Sequence, residues 1–447
     1  MSKTGHSGPG RPSKRRSGVS IAERGQSAFC TGGANARPMR SRSLALVALL
    51  VVAAAGAAAT PVADAPSRAT VAGDDPSPPL AAAPVQTSVP NTTNYLALPA
   101  DGVETARIDS ARLDVASTLS LGSSDLRGQY NATRFAVRLE RADSEERVLR
   151  RTVVDLRDQV ASLRARQQAA VEAYNRGALT TEAFLREIAV VHTRADAAGQ
   201  LASEVVSRTN SPLVPRELLL EARYVRAELD ALTGPVRARA ADALTGERDP
   251  LRVYVSTAAE GVVLATVDSG LYVREAYVEA NRATGGDAVT GTGQAYDIVT
   301  AERYPWAGEN VAGGGVDGFP GGAEGQSLYR VTVPHTQGTL VAHLDGQSGE
   351  VFREVQTKRL AAAPTRDAIV NSTDGAVLTL GRTHAGGQLV VSLSDPATGE
   401  GLSDVPVSVG GKQVGTTGED GVLYALQPRD SVQVLARTDG GNVTAAT

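Results

Sequence analysis

Cysteine is almost absent from the 447-residue sequence: Cys30 is the single one, and it precedes the first long apolar run. A chain processed after that run would contain no cysteine, which excludes disulfide bonds and thiol chemistry in the processed chain. Aromatic residues are also scarce, at 4% of the chain. The cores must therefore consist mainly of Leu, Val and Ala, and stability must come from their burial.

Lysine is scarce as well, since only four of the 45 basic residues are lysines: Lys3, Lys14, Lys358 and Lys412. Few lysines beside many Ala, Arg, Asp and Glu residues are typical of salt-loving archaea, although genome base composition alone can produce the same pattern. The first 59 residues carry a net charge of +8, so the rest of the chain carries −12. Because an acidic chain repels nucleic acid, we expect no DNA or RNA partner.

An export signal is predicted near the start of the chain. Arg40 and Arg42 precede a run of 16 uncharged residues, Leu44–Ala59. The run is shorter than the ~20 residues of a membrane-spanning helix but has the length of a signal-peptide core. We predict a signal peptide over residues 39–65, which is either cleaved or retained as an anchor.

The residues before this signal do not resemble a folded segment. Residues 1–38 are basic, rich in Gly and Ser, and lack apolar periodicity. Met39 begins a compact signal sequence, so Met39 is the predicted start and residues 1–38 a non-native or disordered leader. The protein is expected outside the cell or on its surface, with membrane contact only through an uncleaved signal.

The next two segments differ in their periodicity. Residues 66–100 are rich in Pro, Ala, Ser and Thr, which predicts a disordered stalk. Residues 101–246 show helical spacing, clearest in a heptad seam from Leu149 to Tyr174. A short connection then favours an antiparallel helical hairpin. The seam serves either an intramolecular bundle or self-association.

An internal repeat dominates residues 250–360. The copies start at Val253 and Val331, and each follows a strand–turn–strand–turn–strand pattern. Two related hairpin units predict one antiparallel sheet. The matching residues are Gly261 and Gly338, Ala265 and Ala342, Asp268 and Asp345, and Val273-Arg274-Glu275 and Phe352-Arg353-Glu354.

The last segment, residues 366–447, predicts six or seven short strands in an Ig-like β-sandwich. Within it, LSDPATGEGLSDVPVSVGGKQVGTTGEDGVLYALQP resembles the carboxypeptidase-regulatory or transthyretin-like domains. Thr417, Asp420 and Gly421 fit their Thr-x-x-Asp-Gly hairpin. The resemblance implies a sandwich used in adhesion, in scaffolding or as a rigid spacer, and it does not imply peptidase activity.

The arrangement as a whole resembles an uncharacterised haloarchaeal exported family. The motifs that carry this resemblance are YNRGALTTEAFLREIA, LYVREAY, YPW and LDGQSGEVFREVQ. The second copy of the repeat is also similar to PepSY-type modules, in which an Asp-x-x-x-Gly turn joins two strands.

Asp268 and Asp345 are the most noticeable repeated carboxylates. If the two copies pack with two-fold symmetry, these side chains could face each other and perform acid–base chemistry or hold calcium. Alternatively, each binds the backbone of its own turn. The Arg-Glu dipeptides at 274–275 and 353–354 direct their side chains to opposite sheet faces, where exposed cross-strand pairs are expected.

Further motifs give no indication of catalysis or of a cofactor. His335 and His343 could meet across a turn, but a zinc site needs three or four ligands. His192 with Asp196 is typical of a solvated helix face. The Gly-rich stretch 312–325 lacks a Gly-Lys-Ser/Thr ending, and the chain contains no Gly-x-Ser-x-Gly motif. We therefore expect neither a catalytic site nor a metal or cofactor.

Four sequons are candidate N-glycosylation sites: Asn91, Asn131, Asn371 and Asn442.

The sequence thus predicts a multi-domain α+β protein with an N-terminal helical hairpin or bundle, a central antiparallel β repeat and a C-terminal β-sandwich. We expect a non-enzymatic structural or interaction protein of the cell surface. Its partner would be another protein, or a second copy bound through the helical hairpin. The alternatives are a peptide- or protein-binding regulatory module of an exported enzyme, and a hydrolase.

Overall fold

The computed structural model describes residues 86–87, 90–98, 102–282, 289–321 and 326–447. The predicted leader 1–38 and signal peptide 39–65 lie outside these ranges. None of the helices within the ranges combines the length and the apolar character needed to span a membrane. The chain has a mixed α+β fold.

Five helices follow one another in the first half of the chain. Asp114, Ser144 and Thr180 begin the first three, because each side chain accepts a hydrogen bond from a backbone N–H of the first turn. Gly177 adopts a left-handed φ of 71° in the turn between the second and third helices. The helices are α1 (Val115–Glu140), α2 (Glu145–Asn175), α3 (Thr181–Thr209), α4 (Arg216–Leu232) and α5 (Pro235–Thr245).

The heptad seam of α2 is buried inside this helical layer. Leu149, Leu156 and Leu163 are almost inaccessible to solvent and belong to one core with α3 and α4. The seam ends where the Tyr174 ring stacks on Phe184 of α3, with ring centroids 4.6 Å apart. The seam residues of α2 therefore stabilise the intramolecular bundle.

The two copies of the repeat lie side by side in one eight-stranded antiparallel sheet. The first copy forms β4 (Leu251–Ala258), β5 (Gly261–Asp268) and β6 (Leu271–Val278). The second forms β8 (Ser327–His335), β9 (Gly338–Asp345) and β10 (Val351–Arg359). Strands β6 and β10 pair at the centre, and β3 (Val103–Ala111) and β7 (Gly315–Pro320) form the two edges.

Strand β3 corrects one predicted boundary. It lies within residues 101–246, which the sequence assigned to the helical unit, but it pairs along its length with β4. The segment VETARIDSA lacks helical spacing, and the pairing partner that makes it a strand is about 145 residues away in the chain. Helical spacing begins only after Asp114.

Both faces of the sheet are covered. Helices α1–α5 pack on one face, which we call the helix face. On the other face lie α6 (Thr292–Asp297), a π-helical turn (Ile298–Arg303) and α7 (Pro305–Glu309). Residues 90–98 cross the same face; we call them the strap and that side the strap face. The strap contains β2 (Tyr95–Leu96), which pairs with β1 (Gln86–Thr87).

The strap corrects the last part of another prediction, because residues 66–100 were expected to form a disordered stalk. Of this range the structure describes residues 86–87 and 90–98, and the rest lies outside the described residues. Leu96 is 1% exposed and Thr93 is fully buried. The backbone of Asn94 accepts a hydrogen bond of 2.6 Å from the Gln356 side chain of β10. The polar composition that predicted disorder instead supplies hydrogen-bonding groups to a row of polar side chains on the sheet.

The C-terminal unit is a β-sandwich of two four-stranded antiparallel sheets around an apolar core. The Tyr272 hydroxyl of β6 donates a hydrogen bond of 3.0 Å to Gly386 O of this unit. One sheet contains β11 (Arg366–Thr373), β12 (Ala376–Arg382), β13 (Gln388–Ser394) and β16 (Val422–Leu426). The other contains β14 (Pro406–Val409), β15 (Lys412–Thr416), β17 (Gln433–Thr438) and β18 (Gly441–Ala446).

Candidate functional site

The two Arg-Glu dipeptides of the repeat form ion pairs with each other across the centre of the sheet. Arg274 of the first copy pairs with Glu354 of the second on the strap face. Arg353 pairs with Glu275 on the helix face, with 3.1 Å between Nη2 and Oε2. All four side chains are buried. The expectation of exposed pairs was wrong, because elements elsewhere in the chain cover both faces.

A β-bulge at Phe352 determines which face each of these charges occupies. In the first copy, Arg274 lies opposite Ala265 of the neighbouring strand. In the second copy the register shifts by one residue at the bulge, so Glu354 lies opposite Ala342, the counterpart of Ala265. A shift of one residue turns the following side chains to the other face. Without it, both arginines would lie on one face and both glutamates on the other.

The ion pair on the helix face extends into a larger buried cluster. Arg237 of α5 donates from Nε to Glu275 Oε1 (3.1 Å) and from Nη1 to Gln167 Oε1 (2.7 Å). Burial lowers the pKa of Arg237 to about 10, although the charge of Glu275 opposes that effect. Gly234 lies against the cluster, and a Cβ there would be 1.8 Å from Glu275 Oε2 and 2.3 Å from Arg353 Nη2.

The ion pair on the strap face is completed by the strap. The Leu96 N–H (2.5 Å) and the Tyr304 hydroxyl (2.8 Å) both donate to Glu354 Oε2. Four residues further along β10, the buried Lys358 donates from Nζ to Thr92 Oγ1 of the strap (2.9 Å). Burial lowers the pKa of Lys358 to about 7, with Glu354 opposing that shift.

These charges do not form an accessible active site. A general acid or base must reach the proton that it transfers, but helices cover one pair and the strap covers the other. Their arrangement instead fixes the pairing of β6 with β10, since the partner of each charge lies on the other copy.

Asp268 and Asp345 lie at opposite ends of the sheet and do not face each other. Asp268 lies near the C-terminal end of β10, because its pairing partner Leu271 lies opposite Arg359. Asp345 lies near the N-terminal end of β10, because the preceding residue, Leu344, lies opposite Val351. This follows from the antiparallel packing of the two copies. The two carboxylates therefore cannot act as a pair.

The environments of these two carboxylates also differ. Asp345 Oδ1 accepts hydrogen bonds from the backbone of Gln347 (2.9 Å) and Ser348 (3.1 Å), as expected for a turn residue. Asp268 Oδ2 instead accepts from Arg248 (2.9 Å) and Arg239 (3.2 Å). Burial alone would raise the pKa of Asp268, but Arg248 and the neighbouring donors outweigh it, so the pKa is lowered.

His335 and His343 lie on opposite faces of the sheet and do not meet. His335 packs edge-on against Trp306 with ring centroids 5.4 Å apart, and burial lowers its pKa to about 4. His343 Nε2 lies 3.3 Å from Asp230 Oδ2 on the helix face. Within the described ranges, no group of three or more His, Cys, Asp or Glu side chains is placed to hold a metal ion.

Two further histidines of the described residues, His192 and His384, lie at contacts between elements. His192 accepts a hydrogen bond at Nδ1 from the Gly234 N–H (3.4 Å), and burial lowers its pKa. It was expected on a solvated helix face, but it is half-buried beside the turn between α4 and α5. His384 of the sandwich stacks on Tyr95 of the strap, with ring centroids 4.0 Å apart.

The four sequon asparagines lie at the surface. Asn91, Asn371 and Asn442 are exposed, and Asn131 is partly exposed on α1. The Asn371 side chain donates a hydrogen bond of 2.7 Å to Thr444 O. Glycan attachment at these sites stays a prediction.

Helix α1 carries an exposed apolar stripe that the sequence analysis missed. Its inner face packs on α3 through buried residues such as Leu121 and Phe135. The opposite face exposes apolar side chains over the whole helix, with exposed fractions of 70% for Leu119 and 66% for Leu126. We call these residues the outer stripe: Val115, Leu119, Leu126, Tyr130 and Val137.

The spacing of the outer stripe follows a simple rule. With Gly122 and Thr133, its positions advance by steps of four, three and four residues, twice in succession. This 11-residue spacing keeps the positions in line on a nearly straight helix. It could have been recognised in the sequence, although Gly122 and Thr133 interrupt its apolar character.

Two clefts of opposite charge flank the outer part of α1. The basic cleft, of about 820 Å³, lies between α1 and α2; its lining charges are Arg134, Arg138, Arg141, Arg147, Arg151, Asp143 and Asp155. The acidic cleft, of about 560 Å³, lies between α1 and α3; its lining charges are Asp125, Glu140, Glu145, Asp196, Glu204 and Arg208. The net charges of these linings are +3 and −4.

Comparison with known families gives three adjacent matches. Residues 39–249 match a domain of unknown function (DUF7096), residues 253–364 match a family of unknown function (DUF7094), and residues 367–445 match the archaeal fibronectin-III type-like domain. No curated protein and no solved structure matches the chain. The matches support an uncharacterised archaeal family with a C-terminal β-sandwich. The finer resemblance to carboxypeptidase-regulatory domains stays a prediction.

Proposed function

We propose that this protein is an exported, non-enzymatic structural or interaction protein of a haloarchaeal cell surface, and that it binds a protein partner through α1. The observation that carries the proposal is the outer stripe of α1. Monomeric soluble proteins rarely expose large contiguous apolar patches, and such patches with polar rims are typical of protein interfaces. Here the charged clefts form the rim on both sides.

Two further observations support the setting of this proposal. The match to the first family model begins at Met39, where the predicted signal peptide begins. The C-terminal unit matches an archaeal fibronectin-III type-like domain, and sandwiches of this architecture are common in cell-surface proteins. The predicted leader would then precede the native start, and the sequons would be available for glycosylation.

A membrane-impermeant cross-linker applied to intact cells, followed by fractionation, tests this proposal. We expect the protein in the surface fraction and in cross-linked complexes, and we expect Leu126→Glu to remove the complexes without removing the protein. Leu213→Glu is the control, because Leu213 is 89% exposed in the turn before α4. Recovery of the protein in the cytoplasm, or of complexes unaffected by Leu126→Glu, would contradict the proposal.

A second candidate function is peptide binding by the β repeat, as a regulatory module of an exported enzyme. It is favoured by a groove of about 430 Å³ between the central sheet and the sandwich. Ile108 and Tyr254 line one side, and Tyr424 and Val432 line the other. The covered faces of the sheet leave this groove as the place for such a peptide. Protection of Tyr424 and Val432 from hydrogen exchange by an exported peptide pool would favour this function over the first.

A further inference from the structure

We infer that the partner bound by the outer stripe is a second copy of this chain, with the two α1 helices side by side and parallel. This inference rests on the proposed function, since it names the partner of the same surface. It is carried by the distribution of charge around α1, because only one relative orientation of two copies brings opposite charges together.

The charges of α1 are sorted to the two sides of its outer stripe. Arg127, Arg134 and Arg138 follow one side of the helix, and Asp125 and Glu140 follow the other. The walls of the two clefts continue this division, with Arg147 on α2 beside the basic side and Glu204 on α3 beside the acidic side. The stripe thus separates a basic flank from an acidic flank.

The basic flank has few partners within its own chain. Among the described residues, Arg134, Arg138, Arg141 and Arg147 form no ion pair, and Glu140 and Glu145 on the acidic side form none either. Unpaired charges of both signs on either side of an apolar stripe are typical of an interface whose partner supplies the counter-charges.

Symmetry then selects the orientation. In a parallel pair, the two-fold axis runs along the helices and places the basic flank of each copy against the acidic flank of the other. In an antiparallel pair, the axis is perpendicular to the helices and places basic against basic and acidic against acidic. A homodimer has an isologous interface, so the parallel pair is the arrangement with charge complementarity on both sides.

The apolar contacts fit the same arrangement. In a parallel pair in register, each residue of the stripe meets its own equivalent, and Leu119, Leu126 and Tyr130 become buried together. The nearly straight 11-residue spacing lets the contact continue over the 26 residues of α1.

The oligomeric state of the full chain purified from its host tests the pairing. Sedimentation should show a dimer. Leu126→Glu should raise its dissociation constant by at least about 100-fold, because two carboxylates would be buried at the centre of the stripe. Leu213→Glu should leave the constant unchanged. A monomer at micromolar concentration would overturn the inference, even if cross-linking on cells shows other partners and so supports the proposed function.

Cross-linking with single cysteines tests the orientation. In a parallel pair, Leu119→Cys meets Leu119→Cys of the second copy, and a short bis-maleimide should link them. In an antiparallel pair centred on Leu126, these positions are about 21 Å apart, from 14 residues at 1.5 Å per residue. Linkage would then require Leu119→Cys on one copy and Thr133→Cys on the other, which would overturn the parallel arrangement.

A charge exchange tests the complementarity. Arg134→Glu with Arg138→Glu changes the net charge of the basic cleft from +3 to −1, and Glu140→Arg with Glu145→Arg changes that of the acidic cleft from −4 to 0. Each variant thus loses the opposition of charge between its two flanks. The dissociation constant of the homodimer should be at least about 10-fold higher for each variant alone than for the unchanged protein. A mixture of the two variants should form a heterodimer. Failure of the mixture to associate, or pelleting of a monomeric chain with anionic vesicles instead of dimerisation, would contradict the inference.

Discussion

Arg353 and Glu275 belong to different copies of the repeat, yet Arg353 Nη2 lies 3.1 Å from Glu275 Oε2 in a site closed to solvent. Glu275 also binds Arg237 and is the carboxylate that both arginines share. Because a buried charge without its partner is costly, the stability of the whole sheet should depend on this one carboxylate.

We therefore predict that Glu275→Gln lowers the free energy of unfolding by about 3–5 kcal/mol. The matched control is Glu146→Gln, whose exposed ion pair with Arg150 should contribute less than about 0.5 kcal/mol. Denaturant titration of the two variants measures both values. Equal losses in the two variants would show that burial does not determine the effect.

Gly234 should tolerate no side chain, for a steric reason. Its φ of 178° is open to any residue, but a methyl group would displace the carboxylate of Glu275. Gly234→Ala should cost about 1–3 kcal/mol. Gly199→Ala, at a helical glycine with open space around it, should instead stabilise by about 0.5–1 kcal/mol. Denaturation midpoints that move in the same direction for both variants would contradict this explanation.

The strap should contribute to stability like part of a core. Leu96→Ala should cost about 2–5 kcal/mol, because the side chain is 1% exposed. Leu213→Ala removes the same atoms from a side chain that is 89% exposed and should be nearly neutral. Thermal unfolding compares the two. A neutral Leu96→Ala variant would mean that the strap detaches in solution.

The lowered pKa of the buried Lys358 should make the free energy of unfolding depend on pH. Its pKa is about 7 in the fold against 10.5 in the unfolded chain, so between these values the unfolded state binds more protons. Stability should therefore rise with pH in this window, by up to about 1.4 kcal/mol per pH unit from this group. Lys358→Met should remove this contribution. Identical slopes for both proteins between pH 7.5 and 9.5 would contradict the prediction.

The features that depend on local sequence were predictable. The repeat was read from matched residues, and its Ser269-Gly270 turn has the left-handed conformation that the pattern required. The helical hairpin followed from the α2 seam and from Gly177. In each case the residues that carry the pattern are close together in the chain, so the structure that they specify is local.

What was missed depends on distant residues. Nothing near Arg237 indicates that it will contact a strand 38 residues later. Nothing in the sequence around Thr92 indicates that its side chain is buried against Lys358, 266 residues away. The burial of the Arg-Glu dipeptides depended on such coverings, and their pairing depended on a bulge. A one-residue shift of register leaves no trace in an alignment of the two copies.

The bulge at Phe352 has a consequence for encounters between molecules. If strand β6 of one chain paired with β6 of another about a two-fold axis, equivalent residues would lie on the same face of the sheet. The two Glu275 side chains would then share one face and the two Arg274 side chains the other, an arrangement that like charges disfavour. The single extra residue at Phe352 therefore makes the charges of the two copies complementary on each face of the sheet. This arrangement disfavours the exchange of strands between chains.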